Sequence, residues 1–327
     1  MNHPRRKVLG GLAAGAAALA WPFAARAQFP DKPVKVVIGY STGGATDATA
    51  RLVGRQLEQR LGQPVVYEYK PGAGASIGAD FVAKSAPDGY TIGLTDSGPM
   101  TIMPNLRKVG YDPLKDLAPL SYVCATGLVL LVHPSVKANN VKELVALAKA
   151  EGGKLNYASS GVGSVHHLAG ELFKAQAAVK MTHVPYKGAG PALTDLIGGQ
   201  VPVMFATIGP ALQMIQSGRA RALGVTSAKR SGALPDVPTI AEQGLAGYEA
   251  VLWFMMVAPA ALPAPQRTRF EKELATVLAD PGLVRDLEKL GNEDVGPRTP
   301  QQVSELLRSE LAKWGKVIRD AGITLES

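Results

Sequence analysis

Three turns rich in glycine and serine carry the residues of this sequence that are best placed to bind a ligand. They are residues 40–47 (YSTGGATD), 70–76 (KPGAGAS) and 159–164 (SSGVGS), and each joins a predicted strand to a predicted helix. Glycine lets the backbone approach a ligand closely, and a helix start offers unpaired N–H groups at the positive end of the helix dipole. Together these features predict an anion site that needs no Lys or Arg side chain.

The number of these turns favours binding over a purely connecting role. One such turn would most simply connect two elements, but three occur, and they lie in both halves of the chain. None contains the G-x-x-x-x-G-K-[ST] signature of a nucleotide-binding loop. Lys70 is the only cationic residue in the three turns, so we expect backbone N–H groups and hydroxyls to hold the ligand. A branched side chain at Gly44 should block the ligand and strain the turn.

Polar residues in these turns allow alternative interpretations. Asp47 follows Gly43-Gly44 in the first helical turn, where it is either a capping carboxylate or an acceptor that faces the ligand. Ser160 and Ser164 suggest a serine hydrolase as the enzyme alternative. Their surroundings read G-V-G-S, however, and not the G-x-S-x-G of a nucleophile elbow, and no motif places a His/Asp pair beside them. We therefore predict no catalytic residues.

Two adjacent histidines, His166 and His167, raise the question of a metal site. Neighbouring residues on a helix point about 100° apart, so the two rings cannot easily share one ion. We predict neither a metal nor a cofactor. His167, near a helix start, is either a hydrogen-bond donor to the ligand or a surface or capping residue.

The elements that must position these residues alternate between strand and helix. Buried apolar runs of strand length occur at residues 34–38, 65–69, 90–95, 128–133, 155–158, 181–184, 201–205 and 220–225. Helical periodicity lies between them, for example over 47–61, and two helices begin near Pro265 and at Thr299-Pro300. This alternation predicts two α/β units with mostly parallel sheets and helices on both faces. Because no flexible linker separates the units, crossing strands should join them.

The N-terminus reads as a secretory signal peptide over residues 1–27. Arg5, Arg6 and Lys7 precede an apolar, Ala-rich stretch, and an A-x-A cleavage signal ends at Ala27. The stretch is too short and too rich in Ala and Gly to span a bilayer comfortably, so we expect cleavage near Ala27 and not a membrane anchor. The paired arginines allow twin-arginine export, and Sec export is equally compatible.

Composition restricts the partners of the exported chain. The formal charge of +8 becomes +4 without the signal peptide, because four basic residues and no acidic residue precede the cut. No Lys/Arg run or basic-aromatic stripe remains, so nucleic-acid binding has no support, whereas a modest positive field suits an anionic ligand. Cys124 is the single cysteine and lies in an apolar stretch, so it should be a core residue and not a nucleophile.

An ordered set of motifs resembles a known family. The set comprises residues 43–47 (GGATD), 61–63 (LGQ), 71–74 (PGAG), 87–91 (PDGYT), 157–161 (YASSG), 167–171 (HLAGE), 183–188 (HVPYKG), 198–200 (GGQ) and 234–239 (LPDVPT). Each motif is weak alone. The ordered set closely resembles the substrate-binding proteins of tripartite tricarboxylate transporters, also called Bug-type receptors, over nearly the whole exported chain.

This resemblance implies a two-domain periplasmic-binding-protein fold of type II, in a receptor that is not an enzyme and that acts in the periplasm. It implies a membrane permease of one large and one small subunit as the partner. The implied ligands are di- and tricarboxylates such as citrate, amino acids such as aspartate or glutamate, and aromatic acids or nicotinate-like compounds. In the family, backbone amides and ordered water hold one ligand carboxylate, and the matching segments here are residues 40–47, 74–76 and 159–167.

Two departures from the family pattern bear on the ligand. The first turn begins Ser41-Thr42, where the family often has Pro-Ala. Near the end of a strand the family often has Asp at a position that faces the cleft, and here Ala206 and then Thr207 occupy it. The loss of that acid argues against an amine-bearing ligand held by it and leaves room for an uncharged or apolar ligand tail.

The residues and the resemblance together give specific expectations. We predict domain 1 over residues 28–123 and 253–327 and domain 2 over 124–252, with a hinge in crossing strands near 123–132 and 253–258 and a monomeric receptor. A sensor that presents its ligand to a two-component system is the alternative to uptake. The expected ligand-binding residues are Tyr40, Thr42, Gly43, Gly44, Asp47, Gly74, Ala75, Ser76, Ser97, Ser159, Ser160, Gly161, Ser164, His167 and Thr207.

Overall fold

A computed structural model describes residues 29–324, so the predicted signal peptide and its cleavage site lie outside the described residues. The strands are β1 (Val34–Ile38), β2 (Val65–Tyr69), β3 (Thr91–Asp96), β4 (Leu117–Val132), β5 (Asn156–Ser159), β6 (Thr182–Pro185), β7 (Val203–Thr207), β8 (Arg221–Val225) and β9 (Val251–Pro259). The helices are α1 (Ala45–Leu61), α2 (Ser76–Ala83), α3 (Met103–Leu106), α4 (Val141–Glu151), α5 (Val165–Ala177), α6 (Ala189–Ile197), α7 (Ile208–Gln216), α8 (Ala264–Leu278), α9 (Pro281–Lys289) and α10 (Pro300–Asp320). None of these helices has the length and apolarity needed to cross a membrane.

The strands form one sheet in which two parallel groups flank a pair of antiparallel strands. The order is β2-β1-β3-β9-β4-β7-β5-β6, and β8 also pairs with β4. β1 runs parallel to β2 and β3, and β5 runs parallel to β6 and β7. All pairings made by β4 and β9 are antiparallel. The predicted α/β fold is confirmed, whereas the boundaries of the two predicted domains stay a prediction.

Strand β4 begins several residues before the crossing strand predicted near 123–132. It has 16 residues and pairs with β9, the crossing strand predicted near 253–258, first and with β7 and β8 later. Irregularities in the β4–β9 register, between Pro119 and Ser121 and between Tyr122 and Cys124, break the alternation that reveals a strand. Cys124 is fully buried in the main apolar cluster, which confirms the predicted core role.

Local sequence features determine where several helices begin and end. Helix α1 buries its apolar face, including Val53 and Leu57, and ends at Gly62, whose φ of 69° places it in the left-handed region. It begins at Ala45, two residues before the predicted start, directly after the turn that follows β1. The last helix was predicted to begin at Thr299-Pro300, and Thr299 is the N-cap of α10, where it forms a capping box with Gln302. Helix α9 and a π-helical turn at Gly98–Ile102 were not predicted.

Candidate functional site

A small cavity lies between the two parallel groups of strands. Its walls consist of Tyr40, Gly44, Ala45, Thr46, Ser160, His166, Ala189, Thr207 and Leu252. Four helices begin at these walls, because α1 starts at Ala45, α6 at Ala189 and α7 directly after Thr207, and His166 is the second residue of α5. The positive ends of four helix dipoles therefore converge on one small space, which suits a bound anion.

Several buried polar atoms around the cavity have no protein partner. Among the described residues, Thr207 Oγ1 and His166 Nε2 are buried without a hydrogen bond, and so is Ser97 Oγ at the end of β3. Leaving such a group unpaired costs roughly 1–3 kcal/mol. A polar ligand, or water held with it, would supply the missing hydrogen bonds.

Ser160 and His166 form a buried pair in the cavity wall. The Ser160 hydroxyl lies 2.7 Å from His166 Nδ1, and burial lowers the pKa of His166 to about 4. The ring is therefore neutral at pH 7. Within residues 29–324 no carboxylate pairs with His166, so the serine and histidine lack the third member of a hydrolytic triad.

Both carboxylate oxygens of Asp47 accept hydrogen bonds from protein groups. Its Oδ2 accepts from the backbone N–H of Gly43 at 3.0 Å. Its Oδ1 accepts from Arg51 Nε at 2.9 Å and from the Tyr69 hydroxyl at 2.8 Å. The carboxylate therefore shapes the turn before α1, and this geometry favours the capping interpretation over a ligand acceptor.

The serines on either side of Ser160 shape their own turn. Ser164 caps α5 by accepting from His167 N at 3.2 Å, and its hydroxyl donates to the carbonyl of Gly161 at 2.6 Å. Ser159 Oγ accepts from the backbone N–H of Gly161 at 3.0 Å and lies 2.6 Å from His183 Nε2. These contacts hold the turn that presents Ser160 to the cavity.

His167 is fully buried, so the surface interpretation of this residue is wrong. Its ring stacks on His183 with centroids 4.1 Å apart, and its Nε2 lies 3.9 Å from a carboxylate oxygen of Glu171. Burial lowers the pKa of His183 to about 3. Within the described residues, no group of three or more His, Cys, Asp or Glu side chains is arranged to hold a metal ion.

Other predicted site residues lie where the two sides of the cleft touch. The backbone N–H of Ser41 donates to the carbonyl of Lys187 at 3.0 Å, which joins the first turn to the turn before α6. Gly74, with a φ of 57°, comes so close to the opposite turn that a Cβ there would lie 2.5 Å from the Val162 carbonyl oxygen. The structure is therefore closed around the cavity. Five predicted site residues lie at or beside these contacts and do not line the cavity. They are Thr42, Gly43, Gly74, Ala75 and Ser76.

Gly44 lines the cavity but does not need glycine for its conformation. Its φ is −93°, which any residue adopts, and a Cβ there would lie 3.6 Å from the Cβ of Ala189, an ordinary contact. The expectation that a side chain would strain this turn is wrong. The expectation that a branched side chain would block the ligand stays a prediction.

The wall contains no cationic side chain among the residues that the structure describes. Lys70 points its Nζ to Glu68 at 2.7 Å and lies over the ring of Phe81 at 4.7 Å. Its charge is therefore paired with that of Glu68 and does not face the cavity.

Asp96 is a buried acid beside the site that sequence reasoning missed. It ends β3, and its Oδ1 accepts from the backbone N–H of Gly98 at 2.8 Å and from the Tyr40 hydroxyl at 3.2 Å. Burial raises the pKa of Asp96 to about 7. The sequence feature that could have indicated it is an acidic residue at the end of a strand, directly before Ser97-Gly98. The wall residues Ala189 and Leu252 were missed as well. Ala45, Thr46 and His166 lie inside the segments predicted to bind the ligand, 40–47 and 159–167, but were not named as binding residues.

Known proteins are similar to this chain in sequence and in fold. The family model described as tripartite tricarboxylate transporter family receptor matches residues 49–323. BugT of Bordetella pertussis is 34% identical and is aligned over 100% of both chains. The structure of Rpa4515 from R. palustris with adipate has a TM-score of 0.87 at 34% identity and covers 90% of this chain and 99% of that chain. MatC from Rhodopseudomonas palustris with bound malate has a TM-score of 0.83 at 31% identity and covers 89% of this chain and 100% of that chain.

Proposed function

This chain belongs to the tripartite tricarboxylate transporter receptor family, and from this premise we propose that it captures a small carboxylate in the periplasm and delivers it to a two-subunit membrane permease. The observation that carries the proposal is the cavity at which four helices begin and whose described wall has no cationic side chain. Such a wall offers backbone N–H groups and hydroxyls to a carboxylate. Each hydrogen bond to a charged acceptor contributes roughly 1.5–3 kcal/mol.

The proposed ligand class is a small dicarboxylate or a close relative. Rpa4515 is described with adipate and MatC with malate, and both share the fold of this chain. The apolar wall residues Leu252 and Ala189 suit a short methylene segment between two carboxylates.

The proposed mechanism is closure of two domains around the ligand. We assign domain 1 to residues 28–123 and 253–327 and domain 2 to residues 124–252, with β4 and β9 as the hinge. Contacts such as Ser41 to Lys187 join turns from the two proposed domains, as a closed receptor requires. In this proposal the chain is exported with cleavage near Ala27 and acts as a monomer. Family membership supports uptake over the sensor alternative.

A thermal-shift screen tests the proposed function. The purified chain without residues 1–27 would be heated with adipate, malate, succinate, citrate, aspartate or nicotinate, each beside its uncharged amide as a matched control. A ligand that binds only the folded form raises Tm as its concentration increases, so at least one carboxylate should raise Tm and its amide should not. If no carboxylate raises Tm at millimolar concentration, the proposal is wrong. Loss of cellular uptake of the same carboxylate on deletion of the permease genes tests the delivery step.

A further inference from the structure

The carboxyl group of Asp96 is buried beside the cavity and is held by neutral donors. Only 1% of the residue is exposed. Its Oδ1 accepts from Gly98 N and from the Tyr40 hydroxyl, and the Thr46 side chain also favours its charged form. Its Oδ2 is buried without a hydrogen-bond partner. Across residues 29–324, no Lys or Arg side chain forms an ion pair with Asp96.

A carboxylate ligand would bring a second negative charge close to this acid. Tyr40 and Thr46 contact Asp96 and also form part of the cavity wall, so one side chain separates Asp96 from the cavity. Ionising both of two carboxyl groups that share a buried site costs a large free energy, so one of them binds a proton. The ligand lies at four helix starts that favour its charge. Asp96 is therefore the group that becomes neutral.

We propose that Asp96 takes up one proton from solvent when a carboxylate ligand binds, and that the Asp96–Tyr40 pair then donates a hydrogen bond to the ligand. Without ligand, the Tyr40 hydroxyl donates to the Asp96 carboxylate, whose Oδ1 lies 3.2 Å away. In the complex, protonated Asp96 donates to Tyr40 Oη, and the Tyr40 hydroxyl turns to donate to the ligand. Asp96 is a positioning residue in this arrangement, and Tyr40 contacts the ligand. The inference rests on the proposed function.

The groups that face Asp96 and its partner do not titrate in the relevant range. Burial raises the pKa of Tyr40 and that of Tyr111, which interacts with Asp96 from the segment after α3. The charges of Asp80 and Arg107 influence the pKa of Tyr111 and do not directly influence that of Asp96. Burial lowers the pKa of His166 in the cavity wall to about 4. Since the pKa of Asp96 itself is raised to about 7 by burial, a binding-linked proton at mildly alkaline pH is assigned to Asp96.

Calorimetric titration with succinate, adipate, malate and aspartate tests the proposal. Each probe is titrated at pH 7.5 and pH 8.5 in triethanolamine and in Tris, two buffers that are not anions and whose different ionisation enthalpies reveal the number of protons taken up. For a dicarboxylate that binds, uptake should approach one proton at pH 8.5, and Kd should rise roughly tenfold per pH unit. In Asp96→Asn the amide retains the acceptor oxygen and can donate to Tyr40, so Kd should be the same at both pH values and no proton should be taken up.

Asp80→Asn is the matched control, because Asp80 lies on the neighbouring helix, pairs with Lys84 and is absent from the cavity wall. It should retain both the proton uptake and the pH dependence. Dicarboxylate binding by the unmodified chain without proton uptake would overturn the inference even if Asp96→Asn failed to fold. Tighter binding of aspartate than of succinate, lost in Asp96→Asn, would also overturn it, because Asp96 would then pair with a ligand ammonium group. If no probe binds at pH 7.5 or pH 8.5, the proposed function itself fails.

Discussion

The Ser160 hydroxyl lies 2.7 Å from Nδ1 of His166, and this contact holds the ring whose other nitrogen, Nε2, is buried in the cavity wall without a partner. Because the low pKa of His166, about 4, keeps the ring neutral at pH 7, one ring nitrogen donates and the other accepts. When Ser160 donates to Nδ1, the proton of the ring is on Nε2. The pair then offers one N–H donor to a carboxylate.

Replacing Ser160 with Ala should weaken carboxylate binding about ten- to a hundredfold, since a charged hydrogen bond contributes roughly 1.5–3 kcal/mol and each 1.4 kcal/mol is tenfold. The change removes the group that selects the ring tautomer of His166. Calorimetric titration measures the effect. Ser85→Ala is the control, because the Ser85 hydroxyl donates to the Phe81 carbonyl at the end of α2, away from the cavity. Equal Kd values for the two variants would contradict this role.

Thr207→Val should lower ligand affinity without lowering stability. The Thr207 hydroxyl is buried, lines the cavity and has no protein partner, and Val has nearly the same shape. Removing an unpaired buried hydroxyl leaves the free energy of unfolding unchanged or raises it by about 1 kcal/mol. Removing a ligand contact should raise Kd roughly tenfold. Chemical denaturation and calorimetry measure the two effects separately. A less stable variant with unchanged Kd would show that the hydroxyl serves the fold.

The sequence was most informative where the signal is local. Each glycine turn lies at the end of a strand, as predicted, and the cap at Thr299 follows from neighbouring residues alone. The buried state of Asp96 depends instead on Tyr40, which lies 56 positions earlier and is brought to it by strand pairing. Leu252 reaches the cavity only because β9 crosses the sheet. Contacts of this kind have no signature in a single sequence.

Gly74→Ala should prevent closure of the receptor. The new Cβ would lie 2.5 Å from the Val162 carbonyl oxygen, and backbone atoms cannot move aside as a flexible side chain can. We expect the radius of gyration of the unmodified chain to decrease at saturating ligand, and that of the variant to stay the same. Small-angle scattering measures both, and calorimetry should show at least a tenfold loss of affinity.

Gly152→Ala is the matched control for this change. Gly152 ends α4 with a φ of 61°, close to the 57° of Gly74, but a Cβ there would meet no atom within 4 Å. Both variants therefore carry the same conformational cost, on the order of 1 kcal/mol. Only Gly74→Ala should lose ligand-induced compaction. Compaction of both variants would show that the contact between Gly74 and Val162 does not form on closure.

Asp96 should make the protein less stable as the pH rises. Burial raises its pKa in the folded chain from 3.8 to about 7. Its contribution to stability is therefore fully present below the unfolded pKa and is lost as the pH rises through about 7. The loss amounts to about 4 kcal/mol, since one pKa unit corresponds to about 1.4 kcal/mol. Asp96→Asn should remove this contribution, so the stability gained by the variant should grow between pH 4.5 and pH 8.

Chemical denaturation of the unmodified chain and of Asp96→Asn at pH 4.5 and pH 8 gives the difference between their free energies of unfolding. Taking this difference cancels the contributions of all other titratable groups. A difference that does not change with pH would show that Asp96 titrates normally in the folded chain.

The central claim is that a carboxylate, held by helix starts and hydroxyls, is the ligand of the cavity at Gly44, Ser160 and Thr207. Calorimetric titration of the unmodified chain with adipate and with its diamide tests it most directly, because the two molecules share the carbon chain and differ in charge. Malate, succinate and their diamides extend the comparison. At least one dicarboxylate should bind with a Kd on the order of 1 μM or below, while its diamide should bind at least a hundredfold more weakly. Equal binding of acid and amide, or no binding of any acid, would contradict it.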